Sequence, residues 1–331
     1  MTSDELSTAG LDRALVLDVA RVTEAAAIAA AKHRGRGNEM AADSAAVEAM
    51  HRELTRLSID GRIVLGEGTE DEIDKLYIGE VVGRGAGPLV DIAADALEGS
   101  TICAKAMSSA LSVLAIAEPG SLLRVPSIYM SKIAVGPGYP AAVLDLDAAP
   151  AVNLGRLAEA KGCDVDSLTA CILDRPRNAD LIRQVREAGA AIKLIPDGDI
   201  AGVIWTAEPE ETGIDIYMGI GGAPEGVLAA AAMRCIGGQM QARLAPANDE
   251  QRRRAHRLGI EDLSRRYSLD EMVSGDVIFA ATGVTDGSLL DGVWCRGGVA
   301  DTETLLMRAS TGTVRRIRTT TRAINARGER A

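Results

Sequence analysis

"CILDRPRNADLIRQVREAGAAIKLIPDGD", residues 171–199, carries two patterns in turn. CILD (171–174) is a short apolar run that ends in an acid. Asn178 then caps a helix expected to run through residue 188, and AIKLI (191–195) is a second apolar run closed by PDGD (196–199). Short apolar strands that alternate with helical segments, each joined by polar turns, are the pattern of an α/β fold.

The same rhythm continues on both sides. IDIYMGIGG (214–222) reads as a strand entering a glycine turn, followed by a helix over 224–236. A long polar helix near 248–266 and strands near 276–282, 292–298 and 303–318 complete the C-terminal part. Upstream lie a helix near 149–161 and strands near 110–117 and 128–135. Leu15, Val19, Val22, Ala26 and Ala30 share a helical face, which predicts a helix over 10–33 ending at Gly35–Arg36–Gly37. Val47, Met50, Leu54 and Leu57 predict another over 44–58, with Asp43 as its N-cap. RIVLG (62–66) and LVDIAAD (89–95) read as strands. The expected division is an N-terminal α/β domain over 1–160 and a C-terminal α/β domain over 161–331, with the boundary between 140 and 170.

At 331 residues the chain has room for one large or two ordinary domains. Hydrophobic residues make up 47%, enough for a sizeable core, but aromatic residues only 2%, so stacking platforms for bases are scarce. A net charge of −11 argues against nucleic acid as a partner, though a cation or arginine cluster can still reverse the field inside a pocket. Arg252–Arg254 and Arg315–Arg318 read as solvated or interface charge. The five cysteines have no C-x-x-C spacing, which fits buried free thiols in a reducing compartment better than disulfides or zinc. No signal pattern and no run of 18 apolar residues is visible, so the expectation is a cytoplasmic protein without a membrane span.

Chemistry-bearing residues collect where the predicted strands stop. Asp95, Glu98, Gly99 and Ser100 follow one strand, and open α/β sheets bind ligands outside the carboxyl ends of their strands. After RIVLG come Glu67, Glu70, Asp71, Glu72 and Asp74, five acids in eight residues. Such a run is a solvated loop unless a hard divalent cation holds it, and Glu67, between Gly66 and Gly68, is its most constrained member. GIGGAPEG (219–226) offers backbone N–H groups to an anion at a helix start and puts Glu225 in the first turn, where it could instead only complement the helix dipole. DRPR (174–177) could grip a phosphate through Arg175 and Arg177, or be a surface turn. PDGD puts Asp197 and Asp199 at another strand end, as a further acidic pair or a simple turn. Carboxylates, arginines and a glycine nest together are what magnesium-dependent phosphate chemistry requires.

On these residues the chain resembles the bacterial class II fructose-1,6-bisphosphatases, some of which also take sedoheptulose-1,7-bisphosphate. The motifs span nearly the whole chain: RVTEAAAIAAAK (21–32), AADSAAVEAM (41–50), IVLGEG (63–68), LYIGE (76–80), IYMSKIAVGPG (128–138), IPDGD (195–199), GIGGAPEG (219–226) and ATGVTDGSLLDGV (281–293). The resemblance implies the sugar-phosphatase fold, a layered α/β/α/β/α sandwich shared with the lithium-sensitive phosphatases. It implies Mg2+ or Mn2+, hydrolysis of the 1-phosphate of a small sugar bisphosphate, a role in gluconeogenesis or a Calvin-type cycle, and a homo-oligomer, dimer or tetramer. Carried over by motif, the metal ligands are Asp43, Glu67, Asp95 and Glu225. Asp71 and the hydroxyl of Ser100 would activate water. Substrate contacts would come from Glu98, Gly99, Ser100, Tyr129, Arg175, Pro176, Arg177, Asp197, Gly198, Asp199 and Gly222.

The chain departs from the family pattern beside these positions. D-A-L-E-G-S stands where the family has D-P-[IL]-E-G-T, so Ala96 replaces a stiffening proline and Ser100 a threonine. Thr69 replaces an acid, and Asp74–Lys75 replace Pro–Met. The alternatives these changes raise are a phosphatase diverged toward another sugar or inositol phosphate, and a non-catalytic sugar-phosphate sensor.

Overall fold

The computed structural model describes residue 11 and residues 14–322. Two helices open it, α1 (Leu15–Ala31) and α2 (Glu39–Leu54), followed by β1 (Asp60–Leu65), β2 (Val81–Val82), β3 (Leu89–Glu98), the short α3 (Ser100–Ala104) and β4 (Leu111–Ala117). Next come β5 (Tyr129–Val135), α4 (Pro150–Lys161), β6 (Thr169–Leu173), α5 (Ala179–Glu187) and β7 (Ala191–Ile195). Then follow α6 (Asp199–Ile204), α7 (Pro209–Thr212), β8 (Ile216–Gly222), α8 (Ala223–Ile236) and β9 (Gln239–Leu244). The chain continues through α9 (Asp249–Arg257), β10 (Tyr267–Ser268), α10 (Leu269–Met272), β11 (Val277–Gly283), β12 (Trp294–Arg296), β13 (Val299–Arg308) and β14 (Thr313–Arg322). Helices cladding mixed sheets make this an α/β fold, as the alternating pattern predicts. No helix among the described residues is long and apolar enough to cross a membrane.

The chain divides into two units, one running up to Ser121 and resuming at Gly275, the other Leu122–Ser274. The break expected near residue 160 falls inside the second unit, at the end of α4. In the first unit the sheet order is β12-β13-β11-β4-β3-β1-β2, with β14 on β13. Among the described residues of this unit only strands β1 and β3 are parallel, so their connection must cross over, and it contains the acidic loop. On α1 and α2, Val19, Val22, Ala26, Ala30, Ala42, Ala46, Met50 and Leu54 are buried against Ile63, Ile92, Leu114, Ile278 and Leu306 of the sheet. The alanines let the two helices pack directly on each other.

In the second unit the order is β10-β9-β5-β8-β6-β7, with β6 parallel to β7 and β8 and the other pairs antiparallel. Strand alternation sorts its two faces. Ile133, Val135, Ala170, Ile172, Ile216 and Met218 join Leu154, Leu157, Ile182 and Val185 of α4 and α5. Their neighbours Lys132, Cys171 and Tyr217 point the other way, to α6 and α8: a Cβ on Gly202 would meet Cys171 and Tyr217, and one on Gly226 would meet Lys132.

Several local expectations change. Helix α2 starts at Glu39, because Asn38 accepts the Ala41 N–H as the cap, and Asp43 lies a turn inside. The helix expected over 248–266 stops at Arg257, since Gly259 takes a left-handed φ of +79° and no apolar stripe continues beyond Ala255. The strand expected over 303–318 is the end of β13 plus most of β14, folded into a hairpin through Gly312 at φ +57°. Strand β3 runs on past Asp95 to Glu98. Strand β9 and helix α6 had no counterpart in the sequence reading.

Candidate active site

In the first unit Glu67 is bonded to an irregularity in β3, the strand that carries Asp95 and Glu98. Asp95 pairs with Val113 and Glu98 with Leu111, so three steps on β3 face two on β4 and a residue bulges between them. The Ala96 N–H donates to Glu67 Oε1 at 2.8 Å. Glu67 is thereby fastened to the peptide that follows Asp95. Its own N–H donates to the Leu76 carbonyl at 3.0 Å. Gly66 makes that turn passable, because a Cβ there would lie 2.0 Å from the same carbonyl oxygen. Asp43 is half-buried on α2, and burial alone pushes its carboxyl above the ordinary carboxylate range. Such a site favours either a proton or a cation. Glu98 is buried, Gly99 adopts the left-handed region at φ +84°, and Ser100 begins α3.

The acidic loop itself is mostly solvated. Thr69 to Glu72 are exposed, Asp71 among them. The Thr69 N–H donates to Glu72 Oε2 at 3.1 Å, and Lys75 pairs with Glu48 of α2. Among the described residues no three Asp, Glu, His or Cys side chains stand together closely enough to hold a metal ion.

In the second unit, side chains lie directly over the glycines that join β8 to α8. A Cβ on Gly221 would sit 1.9 Å from Asp199 Oδ2, and one on Gly222 would sit 1.9 Å from Glu225 Oε2. Lys132, 1% exposed, pairs with Asp199 and donates to the Gly222 carbonyl at 2.9 Å. The Tyr217 hydroxyl also donates to Asp199 Oδ2, at 3.4 Å. Glu225 is half-buried as a residue, yet its Oε2 is sealed from solvent and has no hydrogen-bond partner among the described residues. Burial first, and Asp199 second, raise its carboxyl above the ordinary range, while Lys132 opposes them. A sealed carboxylate oxygen without a hydrogen-bond partner fits a hard cation as its partner.

Facing β8 is the DRPR turn. Arg177 stacks on the Tyr129 ring at 4.2 Å and donates from Nε to the Ile220 carbonyl at 2.9 Å. Asn178, expected as a helix cap, uses its side chain elsewhere: it accepts the Ile220 N–H at 2.8 Å and donates to the Leu173 carbonyl at 3.0 Å, tying the ends of β6 and β8 together. Asp197 is raised by burial, against the Gly198 N–H and the charges of Arg175 and Arg177. Gly198, at φ +83°, starts α6 with Asp199 as its first residue.

The sequence matches, over residues 13–321, the family described as "Bacterial fructose-1,6-bisphosphatase, glpX-encoded". The chain belongs to this family. It is 45% identical over 330 residues to the "D-fructose 1,6-bisphosphatase class 2/sedoheptulose 1,7-bisphosphatase" of Synechococcus sp. (strain JA-3-3Ab), covering 92% of this chain and 94% of that protein. It is 41% identical over 321 residues to the "Fructose-1,6-bisphosphatase class 2" of Haemophilus influenzae, covering 93% and 96% respectively.

Within this family member, the residues picked out from sequence fall into two groups. Glu67 and the flank of Asp95 are joined by a hydrogen bond in the first unit. Tyr129, Arg175, Arg177, Asp197, Asp199, Gly222 and Glu225 neighbour one another in the second, where their contacts or charges interact. Asp199 is buried against Lys132 rather than open. Sequence reasoning missed Lys132 and the bridging role of Asn178. The signal for Lys132 was present: a lone charge in the apolar strand IYMSKIAV (128–135).

Proposed function

We propose that this chain hydrolyses the 1-phosphate of fructose-1,6-bisphosphate to give fructose 6-phosphate and phosphate, and accepts sedoheptulose-1,7-bisphosphate as a second substrate. Membership of the family over residues 13–321 carries the reading, and the names of the relatives in Synechococcus and Haemophilus influenzae give the substrates. Asp43, Glu67, Asp95 and Glu225 hold Mg2+ or Mn2+, supported by the charge-disfavouring burial of Asp43 and Glu225. When bound, the cation polarises the phosphoryl group and acidifies water.

The chain's own residues do the rest. Ser100, at the start of α3, orients the attacking water, and Asp71 accepts its proton. The water oxygen attacks phosphorus, the bond from phosphorus to the sugar oxygen breaks, and that oxygen takes a proton from solvent, to which Asp71 gives up the proton it accepted. Glu98 and the Gly99–Ser100 backbone border the reacting phosphate. Arg175 and Arg177 grip the far phosphate, with Pro176 stiffening the turn and the Tyr129 ring bracing the Arg177 guanidinium. Asp197, Gly198, Asp199 and Gly222 border the sugar. The buried free thiols Cys103, Cys171 and Cys235 agree with a reducing cytoplasm, where the chain would act as a homo-oligomer in gluconeogenesis or a Calvin-type cycle.

The departures from the family pattern have quiet local roles, which favours a working enzyme over a sensor. The Ala96 N–H holds Glu67, the Thr69 N–H meets Glu72, and Lys75 pairs with Glu48. A panel of fructose-1,6-bisphosphate, sedoheptulose-1,7-bisphosphate, fructose 6-phosphate and inositol monophosphate tests the assignment. Turnover is expected on the two bisphosphates, and Arg175→Ala with Arg177→Ala should raise their KM about tenfold or more. Preference for a monophosphate, unaffected by those changes, would contradict it.

A further inference from the structure

Lys132 lies in mid-strand with 1% exposure, and taking an ammonium group out of water is unfavourable unless its partners compensate. Its partners are specific. Nζ pairs with Asp199, the first residue of α6, and donates at 2.9 Å to the carbonyl of Gly222, the N-cap of α8. One ammonium therefore ties together the starts of two helices. Its charge also acts on Glu225, against those of Asp199 and Asp197, in the stretch where an anionic substrate is proposed to bind.

We propose that Lys132 is a positioning residue for the sugar-phosphate site: it balances the charge of Asp199 and anchors the Gly222 carbonyl, which holds the Asp197–Asp199 turn and the Gly222–Glu225 turn in one arrangement. The proposal rests on the phosphatase reading above. Without Lys132, Asp199 becomes a buried lone charge that repels an incoming phosphate, and the Gly222 peptide is released to turn. A lysine that only filled a core position would affect stability and leave substrate affinity alone.

The test uses the full-length protein with Lys132→Met, Asp199→Asn and the double variant. Steady-state phosphate release from fructose-1,6-bisphosphate, calorimetric binding of fructose 6-phosphate and thermal midpoints are measured for each. Lys132→Met should raise KM and the fructose 6-phosphate Kd about tenfold or more, with a smaller change in kcat. In the double variant residue 199 carries no charge, so it should fold even where Lys132→Met does not, and it should show less than the product of the two single losses. A folded Lys132→Met with KM and Kd within about twofold of wild type would overturn the proposal, as would single losses that multiply fully in the double variant. If wild type binds fructose 6-phosphate without turnover, the phosphatase reading fails while the Kd comparison still decides the role of Lys132. Wild type with neither turnover nor binding overturns both.

Discussion

A single carboxylate shows how burial sets behaviour here. Glu24 is 8% exposed on α1, and its Oε1 accepts a hydrogen bond from the Thr319 hydroxyl at 2.7 Å. Burial holds its carboxyl above the ordinary value of 4.5, outweighing that bond and the charge of Arg21. Below the ordinary value it is protonated both folded and unfolded. As pH rises through the raised folded value, the native state must carry a buried charge, and stability falls. Glu24→Gln keeps an acceptor for Thr319 and has no charge to bury. Its thermal midpoint relative to wild type should therefore climb as pH rises above the ordinary carboxylate value. A difference that stays flat or shrinks over that rise would contradict the assignment. From sequence, Glu24 was only one letter in RVTEAAAIAAAK (21–32); its burial depends on β14, far along the chain. By contrast Glu67 and Glu225 stand out as candidates because glycines and an apolar strand flank each of them, and Asp95 because it closes an expected strand.

At the scale of elements, the junctions between strand and helix carry the chemistry. The β8–α8 junction has ordinary backbone angles at Gly222, φ −65° and ψ 145°, so alanine fits there without backbone strain. What alanine would displace is Glu225, whose two carboxylate oxygens lie 1.9 and 2.7 Å from the Cβ it would add. Gly222→Ala should lower activity about tenfold or more while the thermal midpoint changes little. Gly66→Ala makes the contrast, since its Cβ would meet the backbone carbonyl of Leu76 at 2.0 Å and should cost about 1–3 kcal/mol of stability in denaturant unfolding. Equal stability losses in the two variants would contradict this division. Sequence periodicity found most of these strands and helices because their apolar residues repeat at 2 or 3.6. It overran the helix at 248–266, where charged residues fit helix or loop alike until Gly259 ends it, and it joined β13 to β14 because threonine and arginine give no face to read. The bulge at Ala96 and Leu97 is invisible in sequence, because it depends on which residue of β4 stands opposite.

Over the whole molecule, the chain leaves its first unit after Ser121 and returns at Gly275. No composition shift marks either point, which is why a break near residue 160 looked natural from the sequence. The carboxylates of the first unit and the arginines, glycines and Glu225 of the second make chemical sense as parts of one phosphatase. The family match runs across both units, over residues 13–321, and its description names one function, fructose-1,6-bisphosphatase. That function makes its strongest claim about a divalent cation held by carboxylates. The most direct test is phosphate release from fructose-1,6-bisphosphate with Mg2+ and then Mn2+, repeated with EDTA and with Asp95→Asn. The account predicts turnover that EDTA abolishes and that Asp95→Asn lowers about a hundredfold or more while the protein stays folded. Turnover that persists in EDTA, or survives intact in Asp95→Asn, would contradict it.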